Sequence, residues 1–296
     1  MHIPIYDSLG AAVAGCFGPE VRIERRDDMG GGDINDACCL RLSSGERVFL
    51  KSNTAANFAF FEAEAAGLEA IADTRTIGTP ALLCMGVGKS GAFLMMELVS
   101  GAKIAGFWED FGRSLARMHL ADTAKFVPSG RFGFRQDNFI GAGPQENAPA
   151  DRWIDFFRQR RLEPQFRRAE RYFDGGTVRQ FSRLLDRLED RLIEPKAPSL
   201  LHGDLWSGNY LTGQDGKAWL IDPAVYVGHA EADLAMTELF GGFPAAFYGA
   251  YRQVNPLEPG YADRRDLYNL YHLLNHLNLF GPGYLSSVLR IIARYG

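Results

Sequence analysis

The densest chemistry in the chain lies in His202-Gly203-Asp204-Leu205-Trp206-Ser207-Gly208-Asn209, with Asp222 thirteen positions further on. Two carboxylates and an amide at this spacing suit phosphoryl transfer between oxygens. That reaction offers little covalent work, so catalysis comes from positioning and charge neutralisation. One carboxylate must orient the attacking hydroxyl and take its proton, and Asp204 fits. A second carboxylate and an amide oxygen must hold Mg²⁺ against the phosphates, because this hard ion prefers oxygen ligands. Asp222 and Asn209 fit that role. His202 reads as a support for the loop rather than a reacting group.

The five-residue step from Asp204 to Asn209 is that of the catalytic loop H-R-D-x-x-x-x-N. Short apolar runs, Leu200-Leu201, Tyr210-Leu211 and Ala218-Trp219-Leu220-Ile221, predict strands that present the three residues at one crevice. A nucleotide needs further partners upstream. Gly30-Gly31-Gly32 sits between two predicted strands, where bare backbone can approach phosphates. Lys51 ends the third strand, the position of a lysine that pairs with the α- and β-phosphates. A helix over 57–72 carries Glu62, Glu64 and Glu69, one of which must hold that lysine. Glu64 stands one turn before Leu68 and two before Ile71, which favours it, with Glu62 as competitor. The backbone of Glu97, Leu98 and Val99, at the end of a strand near 92–99, is the expected adenine-binding edge.

Strand signals at Val21–Arg25, Ala37–Leu42, Arg47–Leu50, 81–87 and 92–99 surround that helix, after a first helix over 7–17 with Asp7 as its cap. From 107 onward the periodicity is helical: 107–120, 151–173, 177–193, 231–240, 244–252, 263–279 and 284–294. A Gly- and Pro-rich stretch over 126–150 is too long for a bare connector and marks a functional loop. The expected architecture is α+β, a two-lobed protein-kinase-like fold. Residues 1–100 form a small antiparallel-sheet lobe with one helix that binds nucleotide. Residues 101–296 form a larger, mainly helical catalytic lobe. A 46% hydrophobic content supports a large core, and a net charge of −4 leaves no basic footprint for nucleic acid. No stretch of 18 apolar residues is present to span a membrane. Cys16, Cys38, Cys39 and Cys84 form no C-x-x-C pair. Cys38 and Cys39, adjacent on a strand, point to opposite faces. This is the thiol usage of a reduced, cytoplasmic protein.

Between Ile221-Asp222-Pro223 and the helix at Glu231 there is no room for a peptide-docking activation segment, so the acceptor is a small molecule. Here the chain resembles the fructosamine kinases (ketosamine-3-kinases), within the aminoglycoside phosphotransferase and choline kinase superfamily. The resemblance rests on Gly30–Asn35, Phe49-Leu50-Lys51, Phe61–Leu68 and His202–Asn209. The block Phe132-Gly133-Phe134, Asp137-Asn138, Ile140-Gly141, Pro144-Gln145, Asn147, Trp153, Phe156-Phe157 and Arg161-Leu162 is similar to the family's own signature. It implies ATP- and Mg²⁺-dependent phosphorylation of the 3-hydroxyl of a ketosamine, free or on a protein lysine. Trp206, Tyr226, Glu231 and Asn138 are candidate acceptor contacts, and Asp233 a brace for the catalytic loop. Some relatives carry an oxidisable cysteine in the Gly-rich loop; here Asp33 follows the triplet.

Three alternatives remain at this level. Aminoglycoside phosphotransferases share H-G-D-x-x-x-x-N, but a polycationic acceptor needs an acidic pocket, and 152–171 holds seven Arg against three acids. Choline and homoserine kinases lack the 132–162 block. A catalytically dead nucleotide-binding module would have no need of Lys51, Asp204, Asn209 and Asp222 together.

Overall fold

The computed structural model describes residues 3–30 and 34–296; Gly31 and Gly32 of the expected phosphate turn lie outside the described residues. Six strands, β1 (Ile5–Tyr6), β2 (Ile23–Asp28), β3 (Asp36–Leu42), β4 (Arg47–Asn53), β5 (Leu82–Gly88) and β6 (Gly91–Glu97), form one sheet in the order β1-β5-β6-β4-β3-β2. Helix α1 (Leu9–Phe17) covers one face and α2 (Phe58–Asp73) the other. Period-2 alternation sorts the side chains. Val48, Leu50, Phe93 and Met95 pack with Ala12 and Val13 of α1. Phe49, Ala92, Leu94 and Met96 pack with Phe61, Ala65 and Leu68 of α2. Lys51, in step with Phe49, is thereby carried on the α2 side.

Three details depart from the sequence reading. Strand β1 was not expected, since two residues carry no pattern, and it pairs in parallel with β5. The sheet is therefore mixed rather than purely antiparallel. Ser8 caps α1 in place of Asp7, its extended backbone letting Oγ accept from the Ala11 amide at 3.3 Å. Strand β6 ends at Glu97, so Leu98 and Val99 lie beyond the ladder.

The remainder is mainly helical: α3 (Phe107–His119), α4 (Trp153–Phe157), α5 (Glu163–Arg168), α6 (Gly175–Asp186), α7 (Leu188–Arg191), α8 (Ala230–Leu239), α9 (Ala245–Val254), α10 (Tyr261–Phe280) and α11 (Leu285–Tyr295). Three two-stranded ladders join them: β7 (Asn138–Ile140) with β8 (Gly143–Gln145), β9 (Ser199–Leu201) with β12 (Tyr226–Gly228), and β10 (Tyr210–Thr212) with β11 (Ala218–Leu220). The expected single helix over 151–173 is broken by a π-helical turn at Arg158–Leu162, followed by Pro164 in the first turn of α5, where a missing amide is tolerated. The 126–150 stretch is not a loose loop, because it contains the β7–β8 hairpin. Among the described residues, no helix is long and apolar enough to cross a membrane.

Helices α8 and α10 are joined by a buried ion pair. Arg264 donates from Nε to Glu231 Oε2 at 2.8 Å and from Nη2 to Oε1 at 2.6 Å. Both Glu231 oxygens are thus spent, and the residue is 1% exposed, so its expected place against the acceptor is corrected. Removing one partner of a buried pair strands the other. Glu231→Gln should cost about 3–5 kcal/mol in urea unfolding and leave the acceptor KM unchanged. A shifted KM at wild-type stability would return Glu231 to the acceptor site.

Candidate active site

Asp204, Asn209 and Asp222 are positioned by two ladders. Residues 202–209 run from β9 to β10, and Asp222 lies between β11 and β12. The Ala224 amide donates to His202 O at 2.9 Å, and the Ile221 amide to Asn209 O at 3.1 Å. The two segments are laced at both ends. Gly203 has φ 83°, and a Cβ there would stand 2.0 Å from Ala224 O, so the close crossing admits only glycine. Asp222 also adopts a left-handed backbone, at φ 54°. Aspartate tolerates this region better than most residues, and such strain concentrates at functional sites.

Asp233, from the first turn of α8, braces the loop. Its Oδ2 accepts from the His202 amide at 2.7 Å and its Oδ1 from the Gly203 amide at 2.8 Å. His119, at the end of α3, lies 3.2 Å from Oδ2 through Nε2 and 2.7 Å from the Tyr251 hydroxyl through Nδ1. Burial pushes the Asp233 carboxyl up, but the His119 contact and these amides outweigh it and hold it below the ordinary range. His202 is itself fully buried. Its Nε2 meets Ile221 O at 2.9 Å, which can only accept, and its Nδ1 meets the Asp204 amide at 3.3 Å, which can only donate. The partners therefore require a neutral ring protonated at Nε2, and burial lowers its pKa accordingly. Both histidines support the loop.

Asn209 Nδ2 donates to Asp204 O at 2.8 Å and to Asp204 Oδ2 at 3.2 Å. Asp204 Oδ1 is buried with no hydrogen-bond partner among the described residues. An orphaned carboxylate oxygen is costly unless something arrives to use it. Burial, then the negative charge of Asp222, raises Asp204 to about 7, with Asn209 only partly opposing.

Lys51 donates to Glu64 Oε1 at 2.7 Å and also contacts Asp222 Oδ1. Burial lowers the lysine's pKa, but the two carboxylates more than reverse this, so it stays charged. Burial raises Glu64 to about 7 against the pull of Lys51. Asp222 would also rise on burial, yet Lys51 brings it below the ordinary value. Glu62 is exposed, so Glu64 is the glutamate that meets Lys51. Among the described residues no group of three His, Cys, Asp or Glu side chains forms a metal cage. Mg²⁺ does not need one, since it usually takes one or two carboxylates and completes its shell with phosphates and water. Asp222 and the free amide oxygen of Asn209 suit it in that manner.

Other expected contacts separate. Trp206 keeps 38% exposure beside the loop. Its ring meets Phe240 edge-on at 6.3 Å, Phe240 meets His276 at 4.9 Å, and His276 meets Phe280 at 5.5 Å. This aromatic row was missed because its members come from three distant segments. Tyr226 and Asn138 are 1% and 5% exposed and are corrected from acceptor contacts to interior residues. Arg161 stacks over the Tyr226 ring at 3.9 Å, and Asn138 Nδ2 donates to Val225 O at 2.7 Å. Glu97 is tied to Ala81, its amide donating to Ala81 O at 2.8 Å, while Leu98 and Val99 leave the ladder half-buried. Gly30 is exposed with open space around its Cα. All four cysteines are free, with Cys38 half-buried and Cys39 buried.

The folded chain keeps the Asp204 proton to higher pH than the unfolded chain, whose aspartate titrates near 4. The stability this group contributes at low pH is therefore lost as pH rises through about 7. Asp204→Asn removes that loss. Its Tm relative to wild type should climb between pH 4 and pH 8, and a difference flat across that range would show that Asp204 is not held protonated by its surroundings.

A sequence model described as "Fructosamine kinase" matches residues 7–295. A protein of Synechocystis sp. named "Probable ketoamine kinase" is 43% identical over 292 residues, covering 97% of this chain and 95% of that one. An Arabidopsis thaliana "Protein-ribulosamine 3-kinase, chloroplastic" is 40% identical over 284 residues, covering 94% and 84%. The crystal structure of a "Putative fructosamine-3-kinase" from Haemophilus somnus 129PT superposes with a TM-score of 0.85 at 28% identity, covering 97% and 96%.

Proposed function

The chain belongs to the fructosamine kinase family, and from that premise we propose that it transfers the γ-phosphoryl group of ATP to the 3-hydroxyl of a ketosamine, carried by a small amine or a protein lysine. It is a phosphotransferase with an alcohol acceptor. The observation that carries the reading is the orphaned, buried Asp204 Oδ1, on a carboxyl that feels the negative charge of Asp222 in the Lys51–Glu64–Asp222 group.

Asp204 orients the sugar hydroxyl and accepts its proton as the phosphoryl group departs from ADP. Lys51, steadied by Glu64, neutralises the α- and β-phosphates, and the backbone of Glu97–Val99 meets the adenine. Asp222 and Asn209 would hold Mg²⁺, whose charge would screen the phosphates. Residues 1–100 serve as the nucleotide lobe and 101–296 as the catalytic and acceptor lobe. Trp206 and the Phe240–His276–Phe280 row form an apolar wall beside the attacking hydroxyl, suited to the flat faces of a sugar ring. Four free thiols fit a cytoplasmic setting.

An ATP-consumption screen against a fructosamine, a ribulosamine, kanamycin and choline tests the acceptor. Turnover is expected with the two ketosamines only, and a response confined to kanamycin would overturn the assignment. Asp204→Asn should lose about 10²–10⁴-fold in kcat, with Mg·ATP affinity retained. Because the base must be ionised, wild-type kcat/KM should rise with pH through about 7 and level off above it.

A further inference from the structure

On α2, Phe60, Glu64, Gly67 and Ile71 recur at i, i+4, i+7 and i+11 and form one stripe. Each member meets the lace around Asp222 or the core behind it. The Phe60 ring packs edge-on against Phe139, with centroids 4.3 Å apart and planes at 77°. Glu64 holds Lys51. A Cβ on Gly67 would stand 3.0 Å from Pro223 Cγ and 3.1 Å from Val225 Cγ2, so the helix lies directly on the residues that follow Asp222. Ile71 is fully buried in the core of the helical part.

Phe139 is the central residue of β7, and its hairpin is pinned. Asn138 Nδ2 donates to Val225 O at 2.7 Å, and Gln145 Nε2 to Ala224 O at 3.0 Å and to Asn138 Oδ1 at 2.7 Å. Tyr271 donates to Gln145 Oε1 at 2.6 Å. Arg161, itself buried, donates from Nη2 to Asn147 Oδ1 at 2.7 Å, and Asn147 Nδ2 to Asn138 Oδ1 at 2.8 Å. Five side chains joined by buried hydrogen bonds in this way hold the hairpin firmly, although Arg161 Nε has no partner among the described residues. The hairpin thus hangs from the two carbonyls just past Asp222 and presents Phe139 to the helix that carries Glu64.

We propose that Phe139 is a positioning residue. It anchors α2 through Phe60, so that Glu64 stays on Lys51 without any activating step. Protein kinases move the corresponding helix to switch the lysine–glutamate pair on and off. In this chain a hairpin fixed to the Asp222 segment holds that helix in place. The inference rests on Lys51 and Glu64 serving the nucleotide as proposed above.

The test is a double-mutant cycle in the full chain, reading Mg·ATP affinity by calorimetry and kcat by ADP release. Phe139→Ala should weaken Mg·ATP binding about tenfold, a coupling typical of contacting residues, and Phe139→Leu should restore most of it. Phe139→Ala with Glu64→Gln should bind no worse than Glu64→Gln alone. Phe60→Ala, approached from the other ring, should behave like Phe139→Ala. Independent, multiplicative losses in the double variant would overturn the proposal, as would wild-type ATP affinity in Phe139→Ala. Affinity for ATP is read without an acceptor, so a failed ketosamine assignment leaves this test standing and the two ideas fail separately.

Discussion

One ammonium group organises this molecule. Lys51 lies between Glu64 on α2 and Asp222 beyond β11, with only 12% of its side chain exposed. It ties the sheet, the helix on its face and the lace of the helical part into one charge group. Two carboxylates around a single cation leave an excess of negative charge, with Asp204 nearby adding to it. Buried charge is tolerated only when paired. Burial first, and then the negative charge of Asp222, raises both Glu64 and Asp204 to about 7. An arriving divalent cation with its phosphates would relieve that excess, so the protein's electrostatic discomfort and its proposed chemistry share one origin.

The catalytic loop is held by the opposite means, an excess of hydrogen bonds. Asp233 accepts two consecutive loop amides, and His202 joins the Asp204 amide to the Ile221 carbonyl. Against that frame, Asp204 Oδ1 is buried and finds no hydrogen-bond partner among the described residues. This contrast between a saturated frame and one unsatisfied oxygen is what preorganisation looks like in a resting site. The raised pKa of Asp204 costs stability above neutral pH and suits a base that must take a proton near that pH.

Much of this was legible in the residues. The Asp204–Asn209 spacing and the short apolar runs around it survive folding as two ladders. The choice of Glu64 over Glu62 followed from helical spacing, and the structure brings Glu64 to Lys51. Asp233 was legible as a brace because it opens the first helix after the loop. The failures share a cause. Tyr226, Glu231 and Asn138 are polar residues near the motif, and sequence proximity suggested the acceptor site. Their partners, Arg161, Arg264 and the Val225 carbonyl, lie 33 to 87 positions away, and burial with those partners turned them inward. The Phe240–His276–Phe280 row and the Phe60–Phe139 contact were invisible for the same reason.

By itself the sequence determined the chemistry and the local elements, because a catalytic loop, a strand lysine and an amphipathic helix are set by spacings of a few residues. Tertiary structure alone decided which polar side chains face the cleft and which hold the interior. It also decided how the helix bearing Glu64 is kept in place. Those outcomes depend on pairing groups far apart in the chain, and a buried polar atom takes its role from the partner that satisfies it.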